Sequence, residues 1–226
     1  QDGETDDTVF SASSWAETDR NSLLKLFGKF KNIKSIYKFE EVHQRFMVLL
    51  SSRNTEVQRL SLDGIFAYKD PIVMKYRDNL KNLLDDTLFK DEMTKFLASD
   101  NSRIIEDADK EELMPYILRI LFGRAQTPNT SGIKRSRRTA VITVLPNLKE
   151  AYIIDFLRLG SSRFKYEYFF DNGNHIEEDE ANSKVLRRMV GFVNIINSSL
   201  SVLGSNFPDV MKSVIRPLIY SICMSN

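Results

Sequence analysis

The chain has 226 residues, 42% of them hydrophobic and 28% charged, with 32 lysines and arginines against 31 aspartates and glutamates for a net charge of +1. This composition belongs to a folded chain able to bury a substantial core, and it excludes disorder as the main state. The single cysteine, Cys223, has no intrachain partner for a disulfide, and with two distant histidines it builds no metal cluster, so a reducing compartment is expected.

The chain opens Gln1-Asp2-Gly3-Glu4 with no secretory signal and no initiator methionine, and it reads as a piece excised from something longer. Residues 1–19 hold Asp2, Glu4, Asp6, Asp7, Glu17 and Asp19 without a basic residue, which predicts an acidic polar tail. Ser14 and Glu17 have capping-box spacing, so order is expected to begin near Ser14, with Phe10 and Trp15 able to dock. From Leu23 the apolar residues take helical period: Leu23, Leu24, Phe27 and Phe30, then Val42, Phe46, Leu49 and Leu50. Asn54 is expected to cap a third helix through Val57, Leu60 and Ile65. Asp70-Pro71 reads as the cap and first residue of a segment running through Tyr76, Leu80, Leu83 and Leu84.

Phe89, Met93, Phe96 and Leu97 mark the next helix, and Leu113, Ile117, Leu118, Leu121 and Phe122 another, expected to stop at Gly123. A loop is expected from Arg124 to Arg138, followed by helices around Ala140–Leu145 and Ile153–Leu157. The run Phe164, Tyr166, Tyr168, Phe169, Phe170 is the one candidate strand. Two long helices close the chain, one carrying Val185, Met189, Phe192, Val193, Ile196 and Leu200. The other carries Val214, Ile215, Leu218, Ile219 and Ile222 as a buried apolar helix, and its run to Cys223 falls far short of the roughly 20 residues that span a bilayer. About nine or ten helices with short turns and no alternation with strands predict an all-α fold, an α-solenoid of HEAT-like antiparallel pairs over residues 20–226. A non-repetitive bundle would give a similar pattern.

The chemistry concentrates in one place. From Leu113 to Lys149 there is no acidic residue, yet Arg119, Arg124, Lys134, Arg135, Arg137, Arg138 and Lys149 all fall there. Unopposed cations in a Thr-Pro-Asn-Thr-Ser-Gly loop suit phosphate contact, which needs donors and no acidic competitor. Arg124, Lys134, Arg135, Arg137 and Arg138 are the predicted RNA-binding residues. Four phosphates neutralised would give a salt slope of about −3 with single strands. Lys134-Arg135-Ser136-Arg137-Arg138 also has the composition of a nuclear import signal, and phosphorylation of Ser136 would cut the local positive charge. A solvated loop without function fits the same residues.

Tyr166 and Tyr168, beside Arg163 and Lys165, are candidates for stacking unpaired bases, with core packing as the alternative. Glu177-Glu178-Asp179-Glu180 with Asp171 reads as helix-start chemistry or as a dock for a basic tail. Catalysis finds no support: there is no nucleophile beside a base, no carboxylate pair in a cleft and no phosphate-cradling glycine loop, since Gly123 and Gly132 follow a helix. His43 is expected to be an exposed polar residue, His175 to lie in a turn, Asp85-Asp86 to cap, and Cys223 to fill the core. No metal, cofactor, membrane or small-molecule substrate is expected.

Tyr68-Lys69-Asp70-Pro71, the stretch Tyr76-Arg77-Asp78-Asn79-Leu80-Lys81-Asn82-Leu83-Leu84-Asp85-Asp86-Thr87-Leu88-Phe89-Lys90-Asp91-Glu92, and Met114-Pro115-Tyr116-Ile117-Leu118-Arg119-Ile120-Leu121-Phe122-Gly123-Arg124 with the basic loop resemble, in this order, the down-regulated-in-metastasis family. The resemblance runs from about Leu23 to Phe170. It implies a fragment of a giant HEAT-repeat scaffold in the nucleolus, a component of the small-subunit processome without catalytic residues. The implied partners are pre-ribosomal RNA, the small nucleolar ribonucleoprotein and other assembly factors. The alternative is a solenoid that binds proteins alone, as transport receptors do.

Overall fold

The computed structural model describes residues 17–97, 104–126, 132–162, 164–171, 183–203 and 207–224. These form twelve α-helices and two 3₁₀ turns, with no strand among the described residues. The all-α expectation holds, and the helical content fits the α-solenoid class. The chain divides into two compact units, Gln1–Arg137 and Arg138–Asn226.

In the first unit, α1 (Glu17–Phe27) packs on α3 (Thr55–Phe66), and α2 (Phe39–Leu50) pairs with α3 across a short turn, so these two run antiparallel. Asn54 caps α3 as its side-chain type predicts: Oδ1 accepts from the backbone N–H of Glu56 at 2.9 Å and of Val57 at 3.4 Å. The pair closes because residue 64 is glycine; a Cβ there would meet the Phe46 ring at 2.8 Å. Asp70 likewise caps α4 (Pro71–Lys75) through the N–H groups of Ile72 and Val73.

The segment expected to run on from Pro71 breaks at Tyr76, and α5 (Arg77–Asn82) starts afresh. The break turns Tyr76 inward, 3% exposed, where its hydroxyl donates to Asp109 Oδ2 at 2.8 Å and accepts from the Glu106 N–H at 3.1 Å. Next, α6 (Phe89–Leu97) follows a turn closed by Asp85, whose Oδ1 accepts from Thr87 and Leu88. Asp85 therefore caps, as expected.

The long helix α7 (Lys110–Ala125) packs against α2, α3 and α4 with Leu113, Ile117, Ile120 and Leu121 fully buried. It does not stop at Gly123. A Cβ at that position would meet Gln58 Nε2 and the Ser52 carbonyl, both at 2.3 Å, so the glycine serves close packing and not helix termination. Gln58 is itself wholly buried, and its amide donates to the carbonyls of Leu50 at 2.8 Å and Ile120 at 3.1 Å.

The boundary between units falls within α8 (Gly132–Val144). In the second unit a 3₁₀ turn at Leu145–Asn147 leads to α9 (Glu150–Ser161), then α10 (Tyr166–Asp171), α11 (Ser183–Leu203) and α12 (Pro208–Cys223). The α9, α11 and α12 helices pack on one another. Pro208 opens α12 as its residue type predicts, but the cap comes from elsewhere: Glu150 Oε1 accepts from the N–H groups of Asp209 at 3.0 Å and Val210 at 3.2 Å. Phe164 fills the space against Phe192 and Tyr220.

Candidate nucleic-acid interface

The basic segment is helical at both of its ends. Arg124 stands in the last turn of α7, and Lys134, Arg135, Arg137 and Arg138 stand on α8, which begins at Gly132. This corrects the expected loop from Arg124 to Arg138; its Thr-Pro-Asn-Thr-Ser portion, residues 127–131, lies outside the described residues. Long unbranched Lys and Arg side chains are good helix formers, and the stripe of Ala140, Val141 and Leu145 extends back toward them.

Burial separates the five residues. Arg124 is 1% exposed, donating to Thr55 Oγ1 at 3.0 Å and to Asp86 Oδ1, with its guanidinium 5.0 Å from the Phe89 ring centre. Arg137, 7% exposed, donates to the same Asp86 oxygen at 2.9 Å. Burial is the main influence that pushes Arg124 below its ordinary value; the bond to Asp86 opposes the shift and the neighbouring Arg137 adds to it. A guanidinium stays charged nonetheless, so among the described residues two buried cations share one carboxylate. These two arginines are framework, and their expected projection into solvent is corrected.

Arg138 is half-buried, and its Nη2 donates to Ser198 Oγ at 3.3 Å; burial lowers its pKa also. Lys134 and Arg135 occupy the first turn of α8, where no acidic residue is present. Their side chains, with that of Ser136 on the same helix, lie outside those described.

The aromatic run is helix α10 and not strand. On a strand Tyr166 and Tyr168 would share a face, whereas two residues apart on a helix they point about 200° from one another. Tyr168 is 47% exposed and Tyr166 is half-buried, so the two do not form one stacking platform.

His43 is half-buried, with its ring 4.8 Å from that of Tyr68 and 6.3 Å from that of Tyr116, correcting the expected exposed position. Desolvation lowers its pKa, Asp70 opposes the shift and Arg119 adds to it. Cys223 is half-buried, short of the full core position expected. His175, the acidic run 177–180 and residues 1–16, with Phe10, Ser14 and Trp15, lie outside the described residues, while Glu17 and Asp19 of the expected tail belong to α1. Among the described residues no group of three or more His, Cys, Asp or Glu side chains could hold a metal ion, and no helix is long and apolar enough to cross a membrane.

Asp86, expected to cap with Asp85, is instead the counter-ion of Arg124 and Arg137, a role that sequence reasoning missed. The signal was Arg124 itself: it follows Ile117, Ile120 and Leu121 on the buried stripe of α7, and an arginine in that register needs a counter-ion.

Paired helices, with no strand among the described residues and with a basic segment on two of them, define an α-helical segment of the solenoid class. Residues 14–226 match the family described as U3 small nucleolar RNA-associated protein 20, N-terminal, and the chain belongs to that family. It is 60% identical over 212 residues to the U3 small nucleolar RNA-associated protein 20 of Saccharomyces cerevisiae, covering 94% of this chain and 8% of that protein. The protein of the same name from Schizosaccharomyces pombe is 27% identical over 220 residues, 95% of this chain and 9% of the relative. The chain thus spans less than a tenth of the length of these relatives.

Proposed function

We propose that this segment is part of a non-catalytic nucleolar scaffold for small-ribosomal-subunit assembly and pre-ribosomal RNA processing. In this reading it works as a component of the small-subunit processome and meets pre-ribosomal RNA, the small nucleolar ribonucleoprotein and other assembly factors. The observation that carries it is the family match over residues 14–226, whose relatives bear the name of a U3 small nucleolar RNA-associated protein. The down-regulated-in-metastasis resemblance supports the same role.

Direct RNA contact is the finer part of the proposal, and it falls to Lys134, Arg135 and Arg138. The acid-free stretch from Leu113 to Lys149 supports it. So does the start of α8, where Lys134 and Arg135 stand in the turn that the helix dipole already makes positive. Cations there disfavour the helix unless an anion joins them, and a phosphate would neutralise them. Arg124 and Arg137 act as positioning residues, tying the end of α7 to the middle of α8 through Asp86. The reading of a scaffold that binds proteins alone draws on the same pair, since two of the five candidate cations already have an internal counter-ion.

The test is crosslinking and sequencing of RNA bound to the full-length protein in cells, wild type against Lys134, Arg135 and Arg138 changed together to Ser. Pre-ribosomal RNA crosslinks that map to this segment and vanish in the variant are expected. Wild-type particles that carry the protein without crosslinks here would leave the protein-binding scaffold standing and remove direct RNA contact.

A further inference from the structure

Helix α12 carries two apolar faces, and the described residues cover one of them. Val210, Val214, Pro217, Ser221 and Met224 form its buried side, with Val210 at 1% and Val214 at 2% exposure. Met211, Ile215, Ile219 and Ile222 recur at steps of four, four and three, which places them on one stripe, and they are 36%, 47%, 43% and 61% exposed. At about 100° per residue the two stripes lie about 135° apart on the helix. The remaining side is polar: Asp209, Lys212 and Arg216 are exposed there, with Lys212 paired to Asp209 at 2.8 Å. Among the described residues no other helix puts four large apolar side chains in the open on one stripe.

An exposed helix of a self-sufficient domain needs one apolar stripe, and a second one marks a helix packed from two sides. In stacked helical repeats each pair buries its outer apolar surface on its neighbour. More than nine-tenths of the length of the relatives lies outside the stretch that this chain matches, so such neighbours are available in a protein of the family's size.

We propose that the Met211, Ile215, Ile219 and Ile222 face of α12 seats a helix pair supplied by further sequence of the full-length protein. The occupant is an amphipathic helix whose apolar stripe meets the isoleucines. Its polar side passes the edge marked by Lys212 and Arg216, where carboxylates would find partners.

The test follows thiol reactivity at Ile219→Cys, made with Cys223→Ser so that the new thiol is the only one from this segment. Maleimide labelling is compared between the 226-residue chain and the purified full-length protein, with its other cysteines replaced by serine. Rapid labelling of the short chain and slowing by about tenfold or more in the full-length protein is the expected result. Ile215→Cys, on the same stripe, should give the same ratio. Equal rates in the two proteins would overturn the proposal. Slowing in the short chain that grows with its concentration, with a dimer in sedimentation, would assign the face to a second copy and overturn it as well. An unchanged thermal midpoint of the short chain confirms that either variant still folds, because each side chain points away from the core that the chain itself builds.

Discussion

Arg124 and Arg137, on different helices, donate to the same oxygen, Oδ1 of Asp86. One half-exposed carboxylate is thus the counter-ion of two buried guanidiniums, which couples the end of α7 to the middle of α8. Asp86→Ala would take this counter-ion from both cations. Removing one partner of a buried pair costs about 3–5 kcal/mol, and the lower end applies here because Asp86 is open to water on one side. Urea unfolding should show a loss of about 3 kcal/mol, shrinking when Arg137→Met is added, since one of the two charges is then gone. A loss under about 0.5 kcal/mol, as for an ordinary surface change, would show that the clamp contributes little.

Two helical glycines should respond in opposite senses to the same substitution. At Gly123 a Cβ meets Gln58 Nε2 and the Ser52 carbonyl at 2.3 Å, and neither the buried amide nor the backbone can withdraw cheaply. Gly123→Ala is expected to lose about 1–3 kcal/mol despite the better helix propensity of alanine. At Gly191, inside α11, a Cβ meets nothing within 4 Å. Gly191→Ala should gain about 0.5–1 kcal/mol. Thermal melts of the two variants check the contrast, and a shift in the same direction for both would contradict it.

Helix type and the local start signals were legible in the sequence because they depend on near neighbours: Asn54 and Asp70-Pro71 stand where a cap and a first turn were expected. What escaped was set by partners distant in the chain. Gly123 looked like a stop because its close packing depends on Gln58, and the Tyr76 break depends on Asp109. The basic segment looked like a free loop because Asp86 lies far upstream of Arg124 and Arg137 in sequence, and charge counting along a window does not see it. The outward isoleucines of α12 were read as core for the opposite reason: periodicity shows that a face is apolar, not what covers it.

His43 sets one pH window of stability and the carboxylates another. Its folded pKa is lowered by burial beside Tyr68 and Tyr116, so the unfolded chain takes up a proton near pH 6.5 more readily than the folded one. Stability is therefore full above about pH 6.5 and declines as pH falls below it. The Asp85 carboxyl is held down by hydrogen bonds from Thr87 and Leu88, and that of Asp109 by Lys75 and Tyr76. Their contributions persist above about pH 3.9 and are lost only below it. His43→Gln should flatten the stability curve between pH 7 and 5 and leave the acid limb in place. An unchanged slope between pH 7 and 5 would assign that window to other groups.

The salt dependence of RNA binding counts which cations meet phosphate. Contact by Lys134, Arg135 and Arg138 alone gives a slope of about −2 in log K against log salt for a single strand, whereas all five predicted residues would give about −3.5. The 226-residue chain and a labelled single-stranded RNA suffice for the titration, with the protein's fold checked by circular dichroism. Arg135→Ser should reduce the magnitude of the slope by about 0.7 and weaken binding evenly across sequences, because phosphate contacts carry no base readout. Arg137→Met should instead leave the slope unchanged while lowering stability, since its guanidinium is occupied by Asp86. A slope near zero for the wild type would remove phosphate contact by this segment altogether. A slope that falls with Arg137→Met would mean that Asp86 releases that arginine to the RNA, and the clamp would then belong to the interface and not only to the framework behind it.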